Sequence, residues 1–277
     1  MKAILALAVF SNTVLGTGRA GMDIKDGSGT EFIHGSLYEF PEDTYLVLKE
    51  VACEHPDDQH KATVIYLDGM EGAGRAQLRQ VKEKGLFGGM ESHVRLVAPV
   101  MGDSKDNPLR GWFPFRFETW DVRDGSLATR ADLEESGKIL QVIIDKEADL
   151  LGGDYSKIFL LGYSQGAMMA AWIGLMSDKP LGGIVGICGG FPLFDVEKVS
   201  DAGIHVVFHH LHDPLDIGVR YEYADKGLKA AQAAGAIGYS EITKVDIPGK
   251  SHHGLSSTVG EKANAWFVSR LQIAGLL

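Results

Sequence analysis

Short apolar runs alternate along this chain with longer stretches in which apolar positions recur every three or four residues. The first pattern fits buried strands and the second fits helices with one covered face. Strands are predicted at 44–51, 63–67, 93–98, 157–161, 183–187, 205–208 and 241–247, with Pro99 ending the third. Helices are predicted at 77–84, 132–151, 167–173 and 220–234, and from just after Gly260 to about 274. In the longest of these, Leu133, Leu140, Ile144 and Leu151 keep helical spacing, and Thr129 with Asp132 makes a candidate capping box. Alternation of this kind predicts an α/β fold: a mainly parallel sheet with helices on both faces. At 277 residues the chain is long enough for one large core, so 21–277 reads as a single domain.

One junction in this pattern carries chemistry. Gly162-Tyr163-Ser164-Gln165-Gly166 sits between the strand at 157–161 and the helix at 167–173. It matches G-x-S-x-G, in which a serine occupies a sharp strand-to-helix turn and glycines leave room for the doubled-back chain. A serine hydroxyl needs a histidine to take its proton and a carboxylate to orient that histidine. Downstream, Asp213 follows the strand at 205–208, and His252 and His253 follow the strand at 241–247. Both places are strand ends of the kind that open α/β sheets use for sites. Oxyanion stabilisation needs two backbone N–H groups. Gln165, after the nucleophile, is one candidate donor; Met70, in the Asp68-Gly69-Met70-Glu71-Gly72 turn after the strand at 63–67, is the other.

These segments resemble the acyl-protein thioesterase and carboxylesterase family of α/β-hydrolases over roughly residues 60–277. That family carries a loop H-G-x-G-D, an elbow G-F-S-Q-G, an acid segment H-G-D-x-D-P-x-V and a final G-x-x-H. Set against His209 to Asp216 and Gly249-Lys250-Ser251-His252, the resemblance assigns Ser164 as nucleophile, Asp213 as acid and His252 as base. Asp216 and His253 remain as rivals. The resemblance implies a serine hydrolase without a cofactor that acts on carboxylic esters or thioesters, whether small molecules, lysophospholipids or acylated proteins. The first loop departs from the family by opening on Asp68 and placing Glu71-Gly72 where the family has glycine-aspartate. Acidic side chains beside an anion site are expected to point away from it. The departure motivates an alternative, a non-catalytic binding protein that keeps the hydrolase fold.

Composition narrows the rest. A formal net charge of −10 argues against nucleic acid and against adhesion to anionic membranes. Residues 103–125 form an aromatic-rich insert, within which Trp112 and Phe113 are candidate walls of an acyl-binding groove. His205, His209, His210 and His212 crowd one segment, and His210 and His212 would share a strand face. No Cys-x-x-Cys or His-Glu-x-x-His accompanies them, so no metal site is assigned. Residues 1–20 begin with one lysine and a short apolar run, which reads as a signal peptide or an N-terminal extension and is too short to span a membrane. Localisation is accordingly cytoplasmic or secreted. Cys53 and Cys188 fit either a pair or two thiols, and nothing in the sequence sets the oligomeric state.

Overall fold

The computed structural model describes residues 24–25, 30–33, 48–54, 60–70, 75–90, 92–101, 111–113, 130–191, 199–249 and 253–277. The 1–20 segment, the Thr129 cap and most of the 103–125 insert lie outside these residues. Among the described residues a nine-stranded sheet forms the centre, in the order β1-β2-β3-β5-β4-β6-β7-β8-β9. The short strands β1 (Ile24–Lys25) and β2 (Thr30–Ile33) and β3 (Leu48–Glu54) make an antiparallel edge. β3 then pairs antiparallel with β5 (Val94–Met101). From β5 onward the sheet is parallel, through β4 (Ala62–Leu67), β6 (Ile158–Tyr163), β7 (Gly183–Ile187), β8 (Phe208–His212) and β9 (Tyr239–Lys244).

Residues that alternate along β4 explain the layers. Ile65 and Leu67 enter a core covered by α2 (Arg130–Leu150), α3 (Gln165–Met176) and α4 (Tyr221–Ala233). Ala62, Val64 and Tyr66 enter a second core on the opposite face, covered by α5 (Ser257–Ile273) and the end of α1 (Arg75–Glu83). A strand buried on both faces must be apolar at every position, which is why these strands read as runs and not as alternations.

Three of the predicted boundaries that move have a local cause. Pro99 does not end β5, which continues to Met101. The parallel ladder with β4 stops at Ile65↔Val97, so beyond it Pro99 pairs on one side only, opposite Val51, and its missing N–H interrupts no central ladder. The strand predicted at 205–208 begins instead at Phe208, because Gly203–His205 coils into a 3₁₀ turn. The last helix starts before Gly260, at Ser257, where the Ser256 hydroxyl accepts from the Val259 N–H (3.2 Å). Gly260 lies inside that helix because a Cβ there would come within 1.8 Å of the Lys84 carbonyl.

One polar group crosses the first core. The Glu147 carboxylate of α2 accepts from Arg95 Nε (2.9 Å) and from the Thr63 hydroxyl (3.1 Å), with the Arg95 and Glu147 side chains 3% and 0% exposed. Removing one member leaves the other charge buried. Arg95→Met is therefore expected to destabilise the fold by about 3–5 kcal/mol, read as a lower urea midpoint with an unchanged slope.

Candidate active site

Ser164 stands at the junction of β6 and α3 with φ +53° and ψ −117°, in the left-handed half of backbone space that a side-chain-bearing residue rarely occupies. The flanking glycines make this turn feasible. A Cβ on Gly162 would lie 2.4 Å from the Gly166 carbonyl, and one on Gly166 would lie 1.9 Å from the Leu67 carbonyl. The elbow is thus wedged against the end of β4, and the neighbouring strand β7 fixes it through Ser164 N–H to Ile187 O (2.9 Å). The Ser164 hydroxyl is left free of a capping bond to its own helix and faces His253.

The structure joins Ser164, His253 and Asp216 in one line. His253 Nε2 lies 3.0 Å from Ser164 Oγ, and His253 Nδ1 lies 2.8 Å from Asp216 Oδ2. The other Asp216 oxygen, Oδ1, accepts from the N–H groups of Gly218 (2.7 Å) and Val219 (2.9 Å). The His253 ring is held between Tyr163, with centroids 5.3 Å apart, and Gly218, where a Cβ would lie 2.9 Å from the ring.

Of the candidates the sequence offered, this geometry sets Asp216 and His253 beside Ser164 and gives Asp213 other partners. Asp213 is buried, but its carboxylate ties backbone together: Oδ1 accepts from Leu215 N–H (2.8 Å) and Oδ2 from Ile247 N–H (2.7 Å). It joins the turn after β8 to the chain after β9. Three residues on, the turn has reversed, and Asp216 faces the histidine loop. His252 lies outside the described residues, and the place beside Ser164 Oγ is filled by His253.

The loop after β4 crosses the nucleophile. A Cβ on Gly69 would lie 3.2 Å from the Tyr163 ring and 3.3 Å from Ser164 Cβ. Asp68 does turn back on its own loop, since its Oδ1 accepts from the Gly69 N–H (2.7 Å) and the Tyr66 hydroxyl (3.1 Å). With the Gly69 N–H engaged in this way, Met70 is the next donor along the loop. Glu71 and Gly72 lie outside the described residues.

Trp112 and Phe113 do not stand on an open wall. Both are core residues, 1% and 2% exposed. The Trp112 indole donates to the Asp68 carbonyl (2.9 Å), and Ser136 Oγ donates to the Trp112 carbonyl. The Gln165 side chain completes the anchor by accepting from Trp112 N–H (2.8 Å) and donating to Phe113 O (2.9 Å). The sequence reading took Gln165 only as a backbone donor; its amide also fastens the segment that supports the Asp68 loop.

Two of the four clustered histidines stand behind Asp216. His210 Nε2 and His212 Nδ1 are 3.0 Å apart, and His212 Nε2 lies 2.8 Å from the Val219 carbonyl. A carbonyl only accepts, so His212 carries its proton on Nε2, and His210 Nε2–H donates to His212 Nδ1. The pair braces Val219, whose N–H holds Asp216. His209 points to the other face and stacks on Trp266. Burial holds the His210 imidazole well below its ordinary pKa, with the His212 and His209 charges acting in the same direction. The unfolded chain therefore takes up a proton near pH 6.5 that the folded chain refuses, so stability is lost as pH falls below that point. Wild type is expected to lose up to about 1.4 kcal/mol per pH unit through this one site between pH 6.5 and 5.5, and His210→Phe should flatten that slope in urea titrations.

Known proteins match this chain as follows. The family model described as Phospholipase/Carboxylesterase matches residues 48–262. An acyl-protein thioesterase 1 of Gibberella zeae is 28% identical over 218 residues, which cover 73% of this chain and 88% of that protein. One of Yarrowia lipolytica is 29% identical over 174 residues, covering 59% of this chain and 73% of that protein. The crystal structure of esterase PE8 superposes with a TM-score of 0.63 at 21% identity, covering 82% of this chain and 99% of that one. These likenesses bear out the α/β-hydrolase fold and the family expected from the motifs. Among the described residues, no helix is long and apolar enough to cross a membrane.

Proposed function

We propose that this chain, which belongs to the phospholipase/carboxylesterase family, cleaves acyl esters or thioesters through Ser164, His253 and Asp216. The observation that carries the reading is the unbroken line from Ser164 Oγ through both ring nitrogens of His253 to Asp216, at 3.0 and 2.8 Å. Ser164 Oγ attacks the acyl carbon and its proton passes to His253 Nε2. Asp216 keeps the proton on Nδ1 and stabilises the imidazolium. The oxygen of the tetrahedral intermediate receives the N–H groups of Gln165 and Met70, the first of which starts α3 and adds the positive end of that helix. Imidazolium then protonates the departing alcohol or thiol, and water repeats the sequence to release the acid. None of these steps calls on a cofactor.

The relatives named acyl-protein thioesterase support an acylated substrate. Because Trp112 and Phe113 are sealed in the core, apolar contacts for such a substrate fall elsewhere. Leu215 and Ile217, 63% and 68% exposed on the acid's own turn, offer them. The test is a fluorophosphonate probe read by intact mass. One adduct per chain, absent from Ser164→Ala, is expected. A well-folded wild type that takes no label would leave the binding-protein reading in its place.

A further inference from the structure

Only two non-glycine residues among those described have positive φ: the nucleophile Ser164 and Cys188, at +49°. The elbow explains the first. Cys188 directly follows β7 and is held in place by its N–H, which donates to Leu211 O (3.0 Å). A residue bearing a Cβ is strained in this region, and such strain persists where the surroundings fix a side chain in a particular place. Here the thiol is buried, with Sγ 3.9 Å from the Gly254 carbonyl, and stands near Asp216 and His253. Cys188 Sγ, Asp216 and His253 offer one ligand atom each, all within 4.8 Å of one another.

We propose that Cys188, Asp216 and His253 form a site for a thiophilic divalent cation, of the zinc or cadmium class, that reversibly shuts the triad. The proposal concerns regulation of the site just described and rests on that reading for its effect on turnover, but not for the binding itself. Sulfur, imidazole nitrogen and carboxylate oxygen are the donor set that zinc accepts, and three protein ligands leave a fourth position for water. Thiolate and carboxylate together match the two charges of the ion, so the loaded site is neutral. His253 Nδ1 and Asp216 Oδ2 already lie 2.8 Å apart, so closing on an ion requires them only to part slightly while Cys188 Sγ approaches. The His253 side chain is 20% exposed, so the ring borders solvent.

The proton balance explains the inhibition. The free triad holds its ring proton on Nδ1, which leaves Nε2 to accept from Ser164. An ion on Nδ1 takes that position, and the ring proton is then carried by Nε2. The thiol proton goes to solvent, so one proton is released for each ion bound. With Nε2 protonated, the ring donates to Ser164 Oγ and has no lone pair to receive the serine proton. Locking the wrong tautomer stops the base without changing the fold.

The experiment uses the full chain with Zn²⁺ for activity and Cd²⁺ for binding. Two variants are compared: Cys188→Ser, which keeps the shape, and Cys188→Gly, which accepts the left-handed backbone and removes the sulfur. Each is read as the ratio of ester turnover with and without Zn²⁺. Wild type is expected to lose turnover and to recover it on adding EDTA, whereas both variants should require at least ~10-fold more Zn²⁺ for the same loss. Cd²⁺ should give wild type an ultraviolet thiolate-to-cadmium band that saturates at one ion per chain, and Cys188→Gly, which keeps Cys53, should lack it. Equal Zn²⁺ sensitivity in wild type and both variants, or a wild type that turns over ester but shows no such band, overturns the proposal. A band that depends on Cys188 in a wild type without turnover upholds the ion site and removes the hydrolase reading instead.

Discussion

Replacing Ser164 by alanine is expected to lower the turnover number on a short acyl ester by about a hundred-thousand-fold or more, with the unfolding midpoint little changed. The size of the effect follows from the arrangement. In the proposed triad His253 has its acid–base task at Ser164 Oγ, 3.0 Å away, and Asp216 Oδ2 lies nearer to His253 Nδ1 (2.8 Å) than to His212 Nε2 (3.5 Å). Without the hydroxyl, neither has anything to activate, and only the oxyanion donors and the bound geometry remain. Alanine carries the same Cβ as serine, so the strain at φ +53° is common to both proteins and does not enter the comparison. Initial rates across a series of acyl chain lengths, with circular dichroism as a check on folding, decide the matter. A Ser164→Ala protein that retains a tenth of wild-type turnover would mean that another group carries the chemistry. Esters and thioesters of matched acyl length, run in parallel, then separate the two leaving groups.

Much of this molecule was legible in its sequence because the relevant signals are local. A sheet buried on both faces writes its parallel strands as apolar runs, and β4, β6 and β7 fall where those runs fall. The elbow was legible because its glycines answer to contacts that no side chain survives, such as the 1.9 Å between a Cβ at Gly166 and the Leu67 carbonyl. The end of β5 was misread because Pro99 weakens a strand only where a ladder needs its N–H, and pairing is decided by distant chain. The Gln165 amide was missed for a related reason: its partners lie 52 and 53 residues away, in a segment with no periodic signal.

The acid shows the limit most clearly. The family pattern H-G-D-x-D-P-x-V holds two aspartates, and matching on its Asp-Pro pair selects Asp213. Laid down from His212 instead, the same pattern puts its second aspartate on Asp216 and its valine on Val219. The structure favours this second alignment, because His212 braces the Val219 carbonyl while the Val219 N–H holds Asp216. Asp213-Pro214 lies at a turn where the Asp213 carboxylate holds backbone. Sequence spacing does not distinguish a carboxylate that orients a histidine from one that closes a turn.

Paired substitutions at the two aspartates should therefore give opposite results. Asp216→Asn is expected to lower kcat by about ten-thousand-fold, because an amide can donate toward Nδ1 and favour the tautomer with its proton on Nε2. The Oδ1 of the asparagine still accepts from Gly218 and Val219, so the turn and the stability should be largely kept. Asp213→Ala removes the acceptors of two backbone N–H groups, Leu215 and Ile247, the second of them buried. Each unsatisfied group costs about 1–3 kcal/mol, so this variant should unfold at distinctly lower urea while the folded fraction turns over ester within about tenfold of wild type. Measuring kcat and the urea midpoint on both variants gives a crossed table. Loss of turnover in a fully folded Asp213→Ala protein, with Asp216→Asn still active, would return the acid to Asp213 and leave the 2.8 Å contact between Asp216 and His253 without a catalytic role.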